Sequence, residues 1–316
     1  MKVFDRQRIV DALDLGAAAE RIAQGFVAFS RGQVKVPPVQ NFVFPQARGD
    51  CCVKSAWMEG EDTFTVKVST GFYDNPANGL PSNDGLMLVL CARTGQPLAL
   101  LEDGGWLTCI RTALAGQIAA RALAPAQVTG IGILGTGEQA RLQLQHLMPI
   151  TPCREVSVWG RRPEALEDYR AFAENLGFRV TTTLNAEQVA RRSNLIVTTT
   201  PSRQALLQSA WINPGTHITA VGADSPGKQE LDPALVARAE VIVADSLAQC
   251  CQYGELSHAM NAGLIDERHV VELGVLLAGD VNGRRDDRQI TLADLTGVAV
   301  QDAQIARCAL EACQVE

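Results

Sequence analysis

The stretch Gly135-Thr136-Gly137-Glu138-Gln139-Ala140 constrains this chain more than any other, because of what flanks it. An apolar run over residues 128–134 leads into it. That run contains two glycines, so its strand reading rests on Val128, Ile131, Ile133 and Leu134. A helical pattern over 138–147 follows at once. Strand, G-x-G-x-x-A and helix in that order let a diphosphate sit on the helix N-terminus, where unpaired N–H groups and the dipole favour an anion. Gly135 permits the tight turn, Gly137 lets the backbone approach phosphate, and Ala140 keeps helix and strand close. Thr136, Glu138 and Gln139 complete the loop as candidate cofactor contacts. An ordinary tight βα turn is the alternative reading.

The next strand, over 156–159, ends in Gly160-Arg161-Arg162-Pro163-Glu164. A site for NAD usually places Asp or Glu at this strand end, on the ribose hydroxyls. Two arginines stand here instead, and a planar guanidinium suits the 2′-phosphate of NADP. A solvated basic turn would look the same. The residues favour NADP(H) over NAD(H).

Composition fits such a chain. With 316 residues, 47% of them hydrophobic and 20% charged, it can bury two cores. A formal charge of -7 argues against a nucleic-acid surface, which needs clustered cations. No uncharged apolar run approaches the roughly 20 residues of a membrane helix. Charges at Lys2, Asp5 and Arg6 come too early for a secretory signal. The nine cysteines contain no C-x-x-C, and an odd count without a leader reads as reduced thiols of a cytoplasmic protein. The adjacent Cys250 and Cys251 read as two small buried side chains. Four scattered histidines have no zinc spacing, so no metal site is expected.

Changes of period divide the chain. Ile9, Leu13, Ala17, Ile22, Phe26 and Phe29 form one apolar helical stripe over 8–31. Short strands follow over 51–57, 63–69, 86–91 and 97–101, separated by turn signals such as Asn83-Asp84-Gly85 and Arg93-Thr94-Gly95-Gln96. They imply an antiparallel sheet. An alanine-rich helix over 108–123 then runs up to Ala124-Pro125. Beyond Arg162, helices and strands alternate to residue 244, which means a doubly wound parallel sheet. A closing helix over 302–313 returns to the first part. The expected domains are 1–122 with 290–316, an α+β substrate and dimerisation domain, and 123–289, a Rossmann-type nucleotide domain.

Three polar groups stand outside the glycine loop. Lys67 lies inside the strand over 63–69 and could simply point to solvent by alternation. Arg111-Thr112 heads the alanine-rich helix; Arg111 suits a bidentate grip on a carboxylate, or a surface salt bridge. Asp224, in Val221-Gly222-Ala223-Asp224-Ser225-Pro226-Gly227-Lys228, follows a strand's carboxyl end, where ligands gather in open α/β sheets; capping the next turn is the plainer role.

Those segments together resemble the ornithine cyclodeaminase/μ-crystallin family over nearly the whole chain. The similarity is carried by Thr65-Val66-Lys67-Val68, Leu107-Thr108-Cys109-Ile110-Arg111-Thr112-Ala113, the glycine loop, the 221–228 segment with Glu230-Leu231, and Asp287-Arg288-Gln289-Ile290-Thr291. The resemblance implies a homodimer whose small-molecule substrate lies between the first domain's sheet and the nicotinamide. It implies that Lys67 and Arg111 hold the substrate carboxylate, that Asp224 is the acid/base at nitrogen with Lys67 assisting, and that Thr112 contacts the cofactor phosphates. Where several relatives carry an arginine for that carboxylate, this chain has Gln40, with Arg48 nearby as a substitute. The family runs imine reduction and NAD-recycling cyclodeamination on one site. Trp159-Gly160-Arg161-Arg162 resembles the NADPH-using reductases, and Asp224 in its segment resembles the cyclodeaminases. The resemblance therefore points to a reductase of a Δ1-pyrroline-2-carboxylate type imine, with ornithine cyclodeaminase or a non-catalytic NADPH-binding protein as alternatives.

Overall fold

The computed structural model describes residues 1–314, and the chain divides into two compact units. One is Met1–Arg111 with the C-terminal segment from Val298; the other is Thr112–Gly297. The first division thus falls inside the alanine-rich helix, ahead of the expected boundary at 122. The second falls later than the expected 289, because Thr291–Asp294 is a strand of the parallel sheet and not part of the closing segment.

The first unit runs β1 (Lys2–Asp5), α1 (Arg6–Ala12), α2 (Leu15–Ser30), β2 (Val34–Lys35), β3 (Gln40–Phe44), β4 (Gly49–Met58), β5 (Thr63–Phe72), β6 (Asn83–Cys91) and β7 (Pro97–Glu102), then enters α3 (Trp106–Leu123). The single helix expected over 8–31 is two. Leu13 leaves the helical conformation, and the Asp14 carboxylate accepts from the Gly16 and Ala17 N–H groups to start α2. The sheet order is β1-β7-β6-β5-β4-β2, with β3 also on β4. Its pairings are antiparallel except β1 with β7, so the expected antiparallel sheet is a mixed one. The closing helix, Ala299–Cys313, packs on α2 and β4. Its Ala299 and Ala303 lie on Ala56 of β4, and these small side chains let the helix come close to the sheet.

The second unit continues with β8 (Ile131–Leu134), α4 (Glu138–Leu147), β9 (Glu155–Trp159), α5 (Pro163–Asn175), β10 (Arg179–Thr183), α6 (Ala186–Arg192) and β11 (Leu195–Thr198). Then come β12 (Arg203–Leu207), β13 (His217–Ala220), β14 (Gln229–Leu231), α7 (Pro233–Arg238), β15 (Val241–Ala244), α8 (Leu247–Tyr253), α9 (Glu255–Asn261), β16 (Val270–Glu272), α10 (Leu273–Leu277) and β17 (Thr291–Asp294). Eight strands form one parallel sheet in the order β10-β9-β8-β11-β13-β17-β15-β16. The central strands are apolar runs buried on both faces, as helices on both sides of a parallel sheet require. Leu134, Ile196, Ile218, Ile242 and Leu292 meet in that core. From β8 the order runs outward both ways, so the switch point of the sheet lies at the end of β8, where the glycine loop begins. β12 and β14 form a separate two-stranded sheet that holds the segment around Asp224. Among the described residues, no helix is long and apolar enough to cross a membrane, and no cluster of three His, Cys, Asp or Glu could hold a metal ion.

Candidate functional site

In the second unit the glycine loop has the geometry of a diphosphate cradle. The N–H of Gly135 donates to Trp159 O at 2.9 Å, and its φ of 122° is a conformation open only to glycine. A Cβ there would lie 2.6 Å from Thr199 Oγ1 of the neighbouring strand end. Gly137 is the N-cap of α4 and, lacking a side chain, supplies no cap to that helix N-terminus, the kind of place where a diphosphate sits. A Cβ on Gly137 would meet nothing within 4 Å. Thr136, Glu138 and Gln139 line this turn, and Ala140 is buried beneath it with its carbonyl bound by the Tyr169 hydroxyl at 2.8 Å. Thr112, on α3, is tied to this helix: its carbonyl accepts from Gln143 Nε2 at 3.1 Å.

At the end of β9, Gly160 touches the loop, since a Cβ there would come 2.8 Å from Thr136 Cγ2. Arg161 and Arg162 follow directly. Both are exposed, and neither guanidinium has an ion pair or hydrogen bond among the described residues. Arg162 is the N-cap of α5.

Asp224 lies in the loop after β13, and its half-exposed carboxylate pairs with Lys228 Nζ at 2.6 Å. Buried acids, none singled out as a site residue from the sequence, hold that loop. Glu230 accepts from the Gly222 N–H at 2.9 Å, the Thr200 N–H at 2.6 Å and the Thr198 hydroxyl at 2.6 Å. Burial pushes its carboxyl up to about 7, against those three donors. Glu255 accepts from the N–H groups of Glu230 and Leu231, and burial raises its pKa well above the usual range. His258 meets the Lys228 carbonyl through Nε2 at 2.8 Å. Cys250 is buried as expected, whereas Cys251 is only partly so, and all nine cysteines are free thiols.

In the first unit, alternation along β5 turns Lys67 inward with Thr65, so the solvent-facing alternative fails: its side chain is 2% exposed. Asp302, from the closing helix, accepts from Lys67 Nζ at 3.1 Å through Oδ1, and its Oδ2 lies 3.0 Å from the same ammonium. Arg111 Nε lies 2.9 Å from Asp302 Oδ1, and Arg111 Nη1 donates to Gln301 Oε1 at 2.9 Å. Arg111 is therefore in a buried ion pair and not a surface salt bridge. Burial lowers the Lys67 pKa to about 8, with Asp302 opposing that fall. Asp103, before α3, caps the Leu107 N–H at 2.7 Å, and burial raises its carboxyl to about 6.

Gln40 is not brought to this cluster. Strand register pairs Gln40 with Val53 and Lys54 with Lys67, so alternation puts Gln40 on the opposite face of the sheet. Arg48 does not replace it either, being paired with Asp74 at 2.8 Å on the surface. Asp302 and Gln301 went unnoticed in the sequence because nothing local links them to Lys67. The available signal was a polar Gln301-Asp302 pair in the first turn of an alanine-rich helix.

Comparison with known proteins shows the family and the fold. The family described as "Ornithine cyclodeaminase/mu-crystallin family" matches residues 2–315. The "Uncharacterized cyclodeaminase y4tK" of Sinorhizobium fredii is 43% identical, covering 88% of this chain and 85% of its own. The Thermococcus litoralis Δ1-pyrroline-2-carboxylate reductase in complex with NADH and L-proline superposes with a TM-score of 0.92 at 28% identity, over 99% of this chain and 97% of that one. An archaeal alanine dehydrogenase dimer with bound NAD gives 0.90 at 31% identity, over 99% and 95%.

Proposed function

The chain belongs to the ornithine cyclodeaminase/mu-crystallin family, and on that premise we propose that it is an NAD(P)H-dependent reductase of a cyclic imine or ketimine carboxylate. The substrate is of the Δ1-pyrroline-2-carboxylate type, and the product an L-amino acid such as proline. The observation that carries this reading is the buried Lys67 and Arg111 held on Asp302, a cation pair suited to one carboxylate, in a chain whose other unit carries a dinucleotide loop. The neighbour with NADH and L-proline supports it.

Gly135, Thr136, Gly137, Glu138 and Gln139, together with Thr112, would hold a nicotinamide dinucleotide, which when bound would supply the hydride for reduction of the imine. Reduction of C=N also needs a proton at nitrogen. Asp224 moves that proton, and Lys67, with its pKa near 8, holds the carboxylate and can relay charge. Arg161 and Arg162, which follow β9 and have no ion pair or hydrogen bond among the described residues, favour NADP(H) through the 2′-phosphate. A net reductase gains from reading the reduced NADPH pool, whereas an enzyme that recycles its cofactor does not.

One observation favours a second reading, ornithine cyclodeaminase. Asp224 already accepts an ammonium, that of Lys228, at 2.6 Å, which is the contact a diamino acid's side chain would make. Two copies of the chain pair through the first unit, a reading supported by the half-buried apolar Val53, Val66, Val68 and Leu88 on the sheet face opposite Lys67, and by the dimeric neighbour. Nine free thiols support a cytoplasmic setting.

The test is NADPH oxidation with Δ1-pyrroline-2-carboxylate, with NADH run in parallel. Turnover that prefers NADPH supports the reductase and the arginine reading together. No turnover there, with proline and ammonia formed from ornithine and catalytic NAD, assigns the chain to the cyclodeaminases.

A further inference from the structure

We propose that Asp302 is a positioning residue for the substrate carboxylate, holding Lys67 and Arg111 as one preoriented pair of cations. The inference rests on the carboxylate-binding role given to those two residues above. Asp302 engages Lys67 and the Nε side of Arg111, and Gln301 takes Arg111 Nη1. Arg111 Nη2 has no partner among the described residues, and an ammonium has three protons, so donors remain on both cations for an incoming carboxylate. Two cations on one carboxylate also leave an excess positive charge. Without Asp302, each would be buried beside a like charge, and neither side chain would be held in a fixed direction.

The charged and titratable groups facing Lys67 are Asp302 on the closing helix, Arg111 on α3, Lys54 and Cys52 on β4, and Asp103 before α3. Burial lowers the Lys67 pKa first, and Arg111 and Lys54 lower it further; Asp302 is the group that keeps it near 8. Removing the Asp302 charge alone should lower it by about 1–3 units more.

The experiment is the pH profile of kcat/KM on the full-length protein with NADPH and Δ1-pyrroline-2-carboxylate, for wild type, Asp302→Asn, Asp302→Glu and Lys67→Arg. Lys67→Arg should abolish the fall above the Lys67 pKa, which assigns that limb. Asp302→Asn should move the limb about 1–3 units toward acid and lower kcat/KM about a hundredfold, mostly through KM. Asp302→Glu keeps the charge, so its limb should stay in place while KM rises. An unmoved limb and unchanged KM in Asp302→Asn, with only a lower melting temperature, would make Asp302 a structural partner and overturn the proposal. Should Asp302→Asn not fold, Asp302→Glu decides: a kept limb with raised KM supports it, and an unchanged KM overturns it. The Lys67 side-chain carbon signal, assigned by its loss in Lys67→Arg, follows the same titration by NMR without substrate. A wild type inert toward the imine sinks the reductase reading, whereas the absence of the NMR shift sinks the role of Asp302.

Discussion

The two units handle charge in opposite ways. In the first, side chains do the work: Lys67, Arg111 and Asp302 are all nearly inaccessible, and two cations share one carboxylate inside the fold. In the second, the candidate cofactor-binding groups are exposed and largely backbone: the start of α4 at Gly137, which faces open space, and Arg161 and Arg162, which have no ion pair or hydrogen bond among the described residues. There the buried carboxylates, Glu230 and Glu255, sit behind the loops and hold N–H groups instead of ligand. A preoriented ion pair resists solvent and salt, so it suits a group that must be gripped in one direction. An open loop with a helix terminus suits a large anion that enters and leaves.

That contrast can be broken experimentally. The largest effect is expected from Asp224→Asn, which should lower turnover by about 10²–10⁴-fold and leave the cofactor dissociation constant unchanged in a fluorescence titration. Unchanged turnover would remove Asp224 from the chemistry. Arg111→Ala should cost about 1–3 kcal/mol of stability, because Gln301 Oε1 loses its buried donor while Asp302 keeps Lys67, and a denaturant titration reads that loss. A similarly drastic loss from an exposed arginine of the second unit would erase the distinction drawn here. Arg161→Ala with Arg162→Ala should weaken NADPH about ten- to a hundredfold through lost charged hydrogen bonds and spare NADH; equal weakening of both would sink the 2′-phosphate reading.

The smallest effect concerns pH. The carboxyl of Glu230 is raised in the folded protein to about 7, from 4.5. Between those values the unfolded chain has lost a proton that the folded one keeps, so this group's contribution to stability falls as pH rises through the window. Glu230→Gln, which cannot titrate, should flatten the melting-temperature profile between pH 4.5 and 7 by a few degrees. An identical slope in the variant would assign the titration to other acids, with Asp294, raised by burial to about 8, the next to test.

Much of the fold was legible because its signals are short-range. The helix over 138–147 is α4 to the residue, and strands over 51–57, 63–69, 86–91 and 97–101 lie within β4 to β7. The strand expected over 128–134 begins only at Ile131, since the Asn194 side chain takes the Thr129 N–H at 2.9 Å before the sheet starts. Strands β1, β12, β14, β16 and β17 left no clear period, being three to five residues long and paired with partners far along the chain, and β3, paired with the adjacent β4, is exposed along its whole length. Of the candidate site, Arg111, Asp224 and the glycine loop stood out by residue type and position, whereas Lys67, which alternation could equally turn to solvent, was assigned through the family resemblance. Gln40 could not be judged, because the face of the sheet on which it lies depends on its register with β4.

By itself, the sequence determined which chemistry was present: a glycine loop between strand and helix, two arginines after the second strand, a lysine inside a strand, an arginine early in a helix and an aspartate in the loop after a strand. These are local, since turn geometry and side-chain period act over a few residues. Only the tertiary structure decided what those charges meet. Asp302 reaches Lys67 across 235 residues of chain, and burial with that single carboxylate turns an ordinary lysine into an ammonium that titrates near 8. Desolvation and long-range pairing belong to the packed whole, and no window of sequence contains them.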